Sequence, residues 1–210
     1  MKHFLESDPA ALSAALQCLQ EGGVLMLPTE TVYGLITRWD NPEGRERIYA
    51  MKHRPASKLL QMMTADLPAA YQVGIHPSPE LERLSTRFWP GPLTVVAKAT
   101  MPPEDSPLPK QDSIGLRIPN HPFLLQLMKE AKCALAATSA NRSGTPAAIN
   151  YHDALAGLAE MPDLAVDAGV ITVTDGAAST VVSLLENTPK ILREGTISLQ
   201  EIREAVYYRA

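Results

Sequence analysis

The sequence is punctuated by Xaa-Pro pairs, each followed by a run with helical periodicity. Asp8-Pro9, Asn41-Pro42, Ser78-Pro79 and His121-Pro122 all have this form. Proline at the start of a helix lacks only an N–H that would be unpaired there, and its fixed φ suits the first turn. Between these starts lie short apolar runs, bounded by glycine or proline, that are too brief for helices and suit buried strands. Proline accounts for 18 of 210 residues, against a usual ~5%, so the connections are stiff.

The alternation can be followed along the chain. A helix after Asp8-Pro9 places Leu12, Ala15, Leu16 and Leu19 on one face and stops at Gly22-Gly23. Val24–Leu27 is a strand, and Thr31–Thr37 is β-prone. A second helix carries Ile48 and Met51 inward and ends at Lys52-His53-Arg54-Pro55. Leu59–Met63 is a strand, and a helix with Leu81, Leu84 and Phe88 closes at Trp89-Pro90-Gly91-Pro92. Strands at Leu93–Lys98 and Ser113–Ile118 flank a proline-rich loop over 101–112. A helix follows to Lys132, then a strand at Cys133–Ala137 and a polar loop, Thr138–Pro146. Asn150 caps a helix to Glu160, and strands follow at Leu164–Asp167, Thr180–Leu185 and Lys190–Leu192. Ser198 and Glu201 form a capping box for a last helix holding Ile202 and Val206. Two strand pairs, around 93–118 and 180–192, run together without a helix, which predicts a mixed rather than a parallel sheet. The class is α/β, an open twisted sheet with flanking helices, in one domain over 1–210.

Several classes of function are excluded. No dinucleotide-binding G-x-G-x-x-G follows a strand, and neither a P-loop nor a G-x-S-x-G elbow is present. The five histidines are scattered without ligand spacing, and the two cysteines, Cys18 and Cys133, sit in apolar segments as buried thiols. A formal charge of −4 argues against a general polyanion binder. No apolar run reaches the ~20 residues of a membrane helix, and no signal core opens the chain. The expectation is a cytoplasmic protein without a membrane partner.

Five polar clusters remain. In Pro28–Gly34, hydroxyls and Glu30 crowd a strand end, as a ligand wall or as ordinary strand threonines with a turn. Lys52-His53-Arg54-Pro55-Ala56-Ser57-Lys58 brings cations off a helix C-terminus, either complementing the helix dipole or presented stiffly to a polyphosphate. In Ser113–Pro119, alternation puts Ser113, Gly115 and Arg117 on one face. Burying Arg117 requires a partner, an internal carboxylate or a ligand anion. Thr138–Gly144 is a plain turn or an anion-binding loop. Ala178–Val182, with Arg193-Glu194-Gly195, adds another hydroxyl pair and another arginine.

The order GGVLMLPTETVYGL, KHRP, FWPGPLT, GLRIPNHP, TSANRSG, STVV and REG resembles the YrdC-type L-threonylcarbamoyladenylate synthase family, in its short, single-domain form. The match runs over about 10–197 and includes the K-x-R…S-x-N signature as Lys52, Arg54, Ser139 and Asn141. The resemblance implies a large, positively lined concave cavity. It also implies a reaction: L-threonine, bicarbonate (or CO2) and ATP give threonylcarbamoyl-AMP and pyrophosphate. The product feeds a threonylcarbamoyl-transferase complex that modifies tRNA, with tRNA itself as a further partner.

Residue roles carry over by motif. Lys52 and Arg54 are implied to be catalytic, facing the nucleotide phosphates. Arg54, Lys58, Ser113, Asn141, Ile149 and Arg193 are implied to bind ATP. Thr31, Arg117, Ser139 and Ser179 are implied to bind threonine, Arg117 through its carboxylate. Mg2+ is expected to come with ATP rather than on a dedicated protein site. Lys58 replaces an asparagine of other members, and Met63 stands where some archaeal members carry a threonine-contacting histidine. Two alternatives stand beside this reading: a double-stranded RNA or tRNA-binding module, and a homologue adenylating another carbamate.

Overall fold

The structure, a computed structural model, describes residues 1–100, 112–172, 178–186 and 188–207. The chain order is β1 (Lys2–Leu5), α1 (Ala11–Gln20), β2 (Leu25–Leu27), β3 (Gly34–Arg38), α2 (Pro42–Lys52), β4 (Gln61–Met63), α3 (Leu67–Gln72), α4 (Pro79–Phe88), β5 (Leu93–Lys98) and β6 (Ser113–Arg117). It continues with α5 (Pro122–Ala131), β7 (Leu135–Ser139), α6 (Tyr151–Ala156), β8 (Leu164–Asp167), β9 (Thr180–Ser183), β10 (Lys190–Arg193) and α7 (Leu199–Tyr207). The proline-rich 101–112 connection lies, except for Asp112, outside the described residues.

The predicted starts at Asn41-Pro42, Ser78-Pro79 and His121-Pro122 hold, whereas α1 begins only at Ala11, past Asp8-Pro9, and α3 is a helix the sequence did not announce. Asn41, Asp66 and Ser78 each cap a helix with Pro in its first turn, through side chains that accept from Gly44 N, Ala69 N and Leu81 N. The capping box forms as well: Ser198 N donates to Glu201 Oε2 at 2.8 Å, and Glu201 N to Ser198 Oγ at 3.3 Å.

One ten-stranded sheet runs β1-β8-β2-β3-β7-β4-β6-β5-β9-β10. It is mixed, as the paired strands require. β5 and β6 are antiparallel, as are β9 and β10, while β5–β9 and β4–β6 are parallel. Several boundaries differ from expectation. β3 starts at Gly34 rather than Thr31, because the Thr29 hydroxyl accepts from the amides of Thr31 and Val32 at 3.1 Å and holds them in a turn. β7 runs on through Thr138 and Ser139, which pair with Leu35 and Gly34. α6 stops at Ala156 rather than Glu160; a Cβ on the next residue, Gly157, would lie 3.3 Å from the Asn141 Cα.

The two sheet faces are covered unequally. On one face, Met62, Val95, Leu116, Ala136 and Val182 pack with Ile48 and Met51 of α2, Leu81 and Leu84 of α4, and Ile202 and Val206 of α7. On the other, Leu25, Leu27, Ile36, Leu135 and Val166 pack under Leu19 of α1 and Leu124, Leu127 and Met128 of α5. Those two helices cover the β8-β2-β3-β7 half. Among the described residues, α5 reaches only Met63 of β4 on that face, and the rest of the β4-β6-β5-β9 half becomes the floor of a cavity.

Candidate functional site

The cavity holds about 320 Å³, at the lower end of the ~300–1,000 Å³ usual for small-molecule sites. Its floor is built by alternation. Gln61 of β4, Thr94 and Val96 of β5, Ser113, Gly115 and Arg117 of β6, Ala137 and Ser139 of β7 and Val181 of β9 all line it, as period-2 strands in register require. The site therefore spreads over a sheet face, not only over the strand ends. Gly115 keeps the floor low; a Cβ there would approach Thr94 Cγ2 to 3.3 Å.

Thr31, Arg54, Ser113, Arg117, Ser139, Ser179 and Arg193, all expected at the site, do converge on this cavity. Each guanidinium is anchored along part of its edge. Arg54 donates from Nε to Lys58 O at 2.8 Å and from Nη2 to Leu59 O at 2.6 Å. Arg193 donates from Nε and Nη2 to Ser179 O at 3.1 and 2.8 Å, and from Nη2 to Ser179 Oγ at 3.0 Å. Arg117 Nη2 donates to Thr31 Oγ1 at 3.0 Å and pairs with Glu30 at 2.9 Å. Arg117 is thus both internally paired and part of the cavity wall, and its buried Nε has no partner. Burial lowers the pKa of Arg54 and of Arg193, the latter lowered further by the charge of Arg117.

Three cations share the cavity, and none of its described lining residues is a carboxylate. Glu30 stands behind the wall, accepting from Asn120 N at 2.9 Å, with Oε2 buried and unpartnered. Such unmatched buried charge costs free energy until an anion enters.

Lys52, Asn141, Lys58 and Ile149 do not line the cavity. Lys52 is 1% exposed, and its ammonium donates to Ser139 O, to Asn141 O at 2.6 Å and to Asn141 Oδ1 at 3.0 Å. The phase of α2 and the turn after it explain this. Lys52 lies on the buried face of α2, one turn after Ile48, and His53 then closes the helix in the left-handed region, φ 47, so that the chain turns and Arg54 reaches the cavity. The Asn141 amide is committed internally as well, donating to Arg142 O at 2.9 Å and to Thr145 O at 2.7 Å. Lys58 is exposed. The Ile149 carbonyl accepts from Ile171 N at 2.7 Å, and Ala147 takes the neighbouring place in the wall. Met63 is 2% exposed and packs in the core under α5.

Two residues of the cavity floor, Gln61 and Thr94, escaped the sequence reading. Thr94 Oγ1 donates to Gln61 Oε1 at 3.0 Å and lies 3.1 Å from Ser179 Oγ. Thr94's proton is directed to Gln61, so Ser179 donates to Thr94 and accepts from Arg193. The signal lay in Gln61, a lone amide in the apolar run Leu59–Met63, in register with Gly115. Gly195 of the Arg193-Glu194-Gly195 motif has a steric role: a Cβ there would lie 2.3 Å from Ala178 O. That close approach seats Arg193 on Ser179.

A second cavity, of about 340 Å³, is lined by Arg38, Trp39, Asp40, Lys132 and Cys133 among others. Arg38 meets Asp40 through two bonds, at 2.8 and 2.7 Å.

A mixed α/β sheet with hydroxyls and guanidinium groups around a cavity on one face has the chemistry to hold an anionic small molecule. The model of the Sua5/YciO/YrdC family, described as Telomere recombination, matches residues 17–195, and the chain belongs to that family. It is 32% identical over 193 residues to the threonylcarbamoyl-AMP synthase of Pyrococcus abyssi, covering 90% of this chain and 55% of that protein. It is 32% identical over 205 residues to the threonylcarbamoyl-AMP synthase of Bacillus subtilis, covering 96% of this chain and 58% of that one. The chain thus spans little more than half the length of these relatives. The crystal structure of P. abyssi Sua5 complexed with L-threonine superposes with a TM-score of 0.86 at 31% identity, over 98% of this chain and 60% of that one.

Proposed function

We propose that the chain makes threonylcarbamoyl-AMP and pyrophosphate from L-threonine, bicarbonate or CO2, and ATP. The observation that carries the reading is the convergence of Arg54, Arg117 and Arg193 on one cavity whose described lining residues include no carboxylate. The likeness to relatives named for this product, and to a structure complexed with L-threonine, supports it.

The chemistry suits the residues. The threonine amine adds to CO2 and loses a proton, giving a carbamate. A carbamate oxygen attacks the α-phosphorus, and pyrophosphate leaves with the electron pair of the broken P–O bond. The protein's task is positioning and charge stabilisation. Arg54 and Arg193 are assigned to the phosphates. Arg117 is assigned to the amino acid carboxylate, which replaces part of the pairing with Glu30. Thr31, Ser139 and Ser179 are assigned to the amino acid, and Ser113 to the nucleotide. Mg2+ would come with ATP and would shield phosphate charge; none of the described lining residues is a carboxylate that would hold it. One methyl group separates threonine from serine, a discrimination of about 1–3 kcal/mol. The product then passes to a transferase complex acting on tRNA.

The RNA-binding alternative is not favoured: the site's guanidinium groups are anchored inside a cavity rather than spread along a surface stripe. The test is pyrophosphate release from ATP. It should require both L-threonine and bicarbonate; release that ignores either one, or none at all from protein that binds ATP, overturns the reading.

A further inference from the structure

Lys52 was expected to face phosphates, and the structure gives its ammonium a different task. An ammonium has three donors and no acceptor. Ser139 O, Asn141 O and Asn141 Oδ1 take all three, in a site 1% exposed. The neighbouring amide has only one consistent orientation. Arg142 O and Thr145 O can only accept, so the atom facing them at 2.9 and 2.7 Å is Nδ2. Oδ1 therefore faces both Lys52 and Ser139 Oγ, the latter at 2.5 Å. Because Oδ1 only accepts, the Ser139 hydroxyl proton lies on that line. Ser139 does line the cavity, and with its one proton turned inward it offers only lone pairs to a ligand.

We propose that Lys52 is a positioning residue: through Asn141 it fixes Ser139 as a hydrogen-bond acceptor, so this corner of the cavity takes a ligand N–H or O–H and rejects a phosphate oxygen. The inference rests on the functional reading above and refines it. The nitrogen of L-threonine suits the corner throughout the reaction, since the amine that adds to CO2 keeps an N–H as the carbamate. A phosphate oxygen would set two acceptors against each other. The nucleotide is thereby confined to the guanidinium side, and Asn141, fully bonded within its own loop, is a second positioning residue.

The experiment is calorimetric titration of the full chain with L-threonine and, separately, with Mg-ATP, on wild type, Lys52→Met and Ser139→Ala. Both variants should bind L-threonine about tenfold or more weakly, as expected for loss of a hydrogen bond involving a charged group, with ATP affinity within about twofold. Weaker ATP binding with threonine binding intact in Lys52→Met would return Lys52 to the phosphates. Equal loss of both ligands would make it general scaffolding, and either result overturns the proposal. If Lys52→Met does not fold, Ser139→Ala decides: selective loss of threonine supports the proposal, and loss of ATP overturns it. A wild type that binds no L-threonine overturns the functional reading and this inference with it. Threonine binding that both variants leave intact overturns this inference alone.

Discussion

The two cavities hold almost the same volume, about 320 and about 340 Å³, and differ in how their charges are matched. In the second, Asp40 closes on Arg38 with two bonds, and that pairing holds the carboxyl below the usual carboxylate range. In the first, three guanidinium groups are anchored by neutral oxygens and, for Arg117 alone, by a carboxylate behind the wall. Size does not tell a site from a gap in packing here. Three clustered arginines, two of them fixed by backbone carbonyls, do, whereas the second cavity's remaining cation, Lys132, is a single exposed ammonium.

The largest expected effect tests that contrast directly. Arg54→Ala should lower the rate of pyrophosphate release by about 10²–10³, while Arg38→Ala, in the second cavity, should leave it within about twofold; comparable losses would erase the distinction. Next, Arg117→Ala should raise the threonine KM by about 10–100-fold, from the loss of a charge-assisted contact, with a smaller change in kcat. A normal threonine KM would remove Arg117 from the carboxylate. Gly195→Ala should destabilise the fold by about 1–3 kcal/mol, because the added carbon meets backbone rather than a movable side chain. Denaturant melts would measure this, and an unchanged midpoint would show that the 178–180 backbone yields.

A smaller effect concerns pH. Burial lowers the Lys52 ammonium from 10.5 to about 7. Below about 7 both the folded and the unfolded chain hold the proton, and the fold carries the desolvation penalty. Between those two values the unfolded chain keeps the proton and the fold sheds it, so the three-donor arrangement belongs to pH below about 7, and this residue's contribution to stability rises with pH. Wild type should therefore gain stability relative to Lys52→Met between pH 6.5 and 9, read from urea melts at each pH. The smallest effect is His53→Gly, which relieves left-handed backbone at φ 47 and should be neutral or stabilising by up to ~1 kcal/mol, seen as an equal or higher Tm.

The sequence revealed what is local. Asn41-Pro42 and Ser78-Pro79 announce helix starts because cap and proline act within one turn. The hairpin-like pairs announce a mixed sheet. β1 gave no signal, since Lys2–Leu5 is a largely exposed edge strand with no alternation. α3 gave none either, being only six residues long. At the site, Arg54, Arg117 and Arg193 stood out as cations among apolar neighbours. Lys52 and Asn141 were equally conspicuous, but their direction depends on the phase of α2 and on contact between segments 87 to 89 residues apart in sequence. Gln61 and Thr94 become partners only because glycine occupies the strand between them.

The pairing of β5 with β9 carries a consequence for how the molecule matures. One wall of the pocket comes from a stretch synthesised long after the strand it docks against, and Arg193 follows later still. A chain whose earlier half has already collapsed therefore lacks the grip for its reactants. Ligands should accordingly protect against whole-molecule unfolding more than against local fraying, so that the ability to bind reports the integrity of the entire sheet.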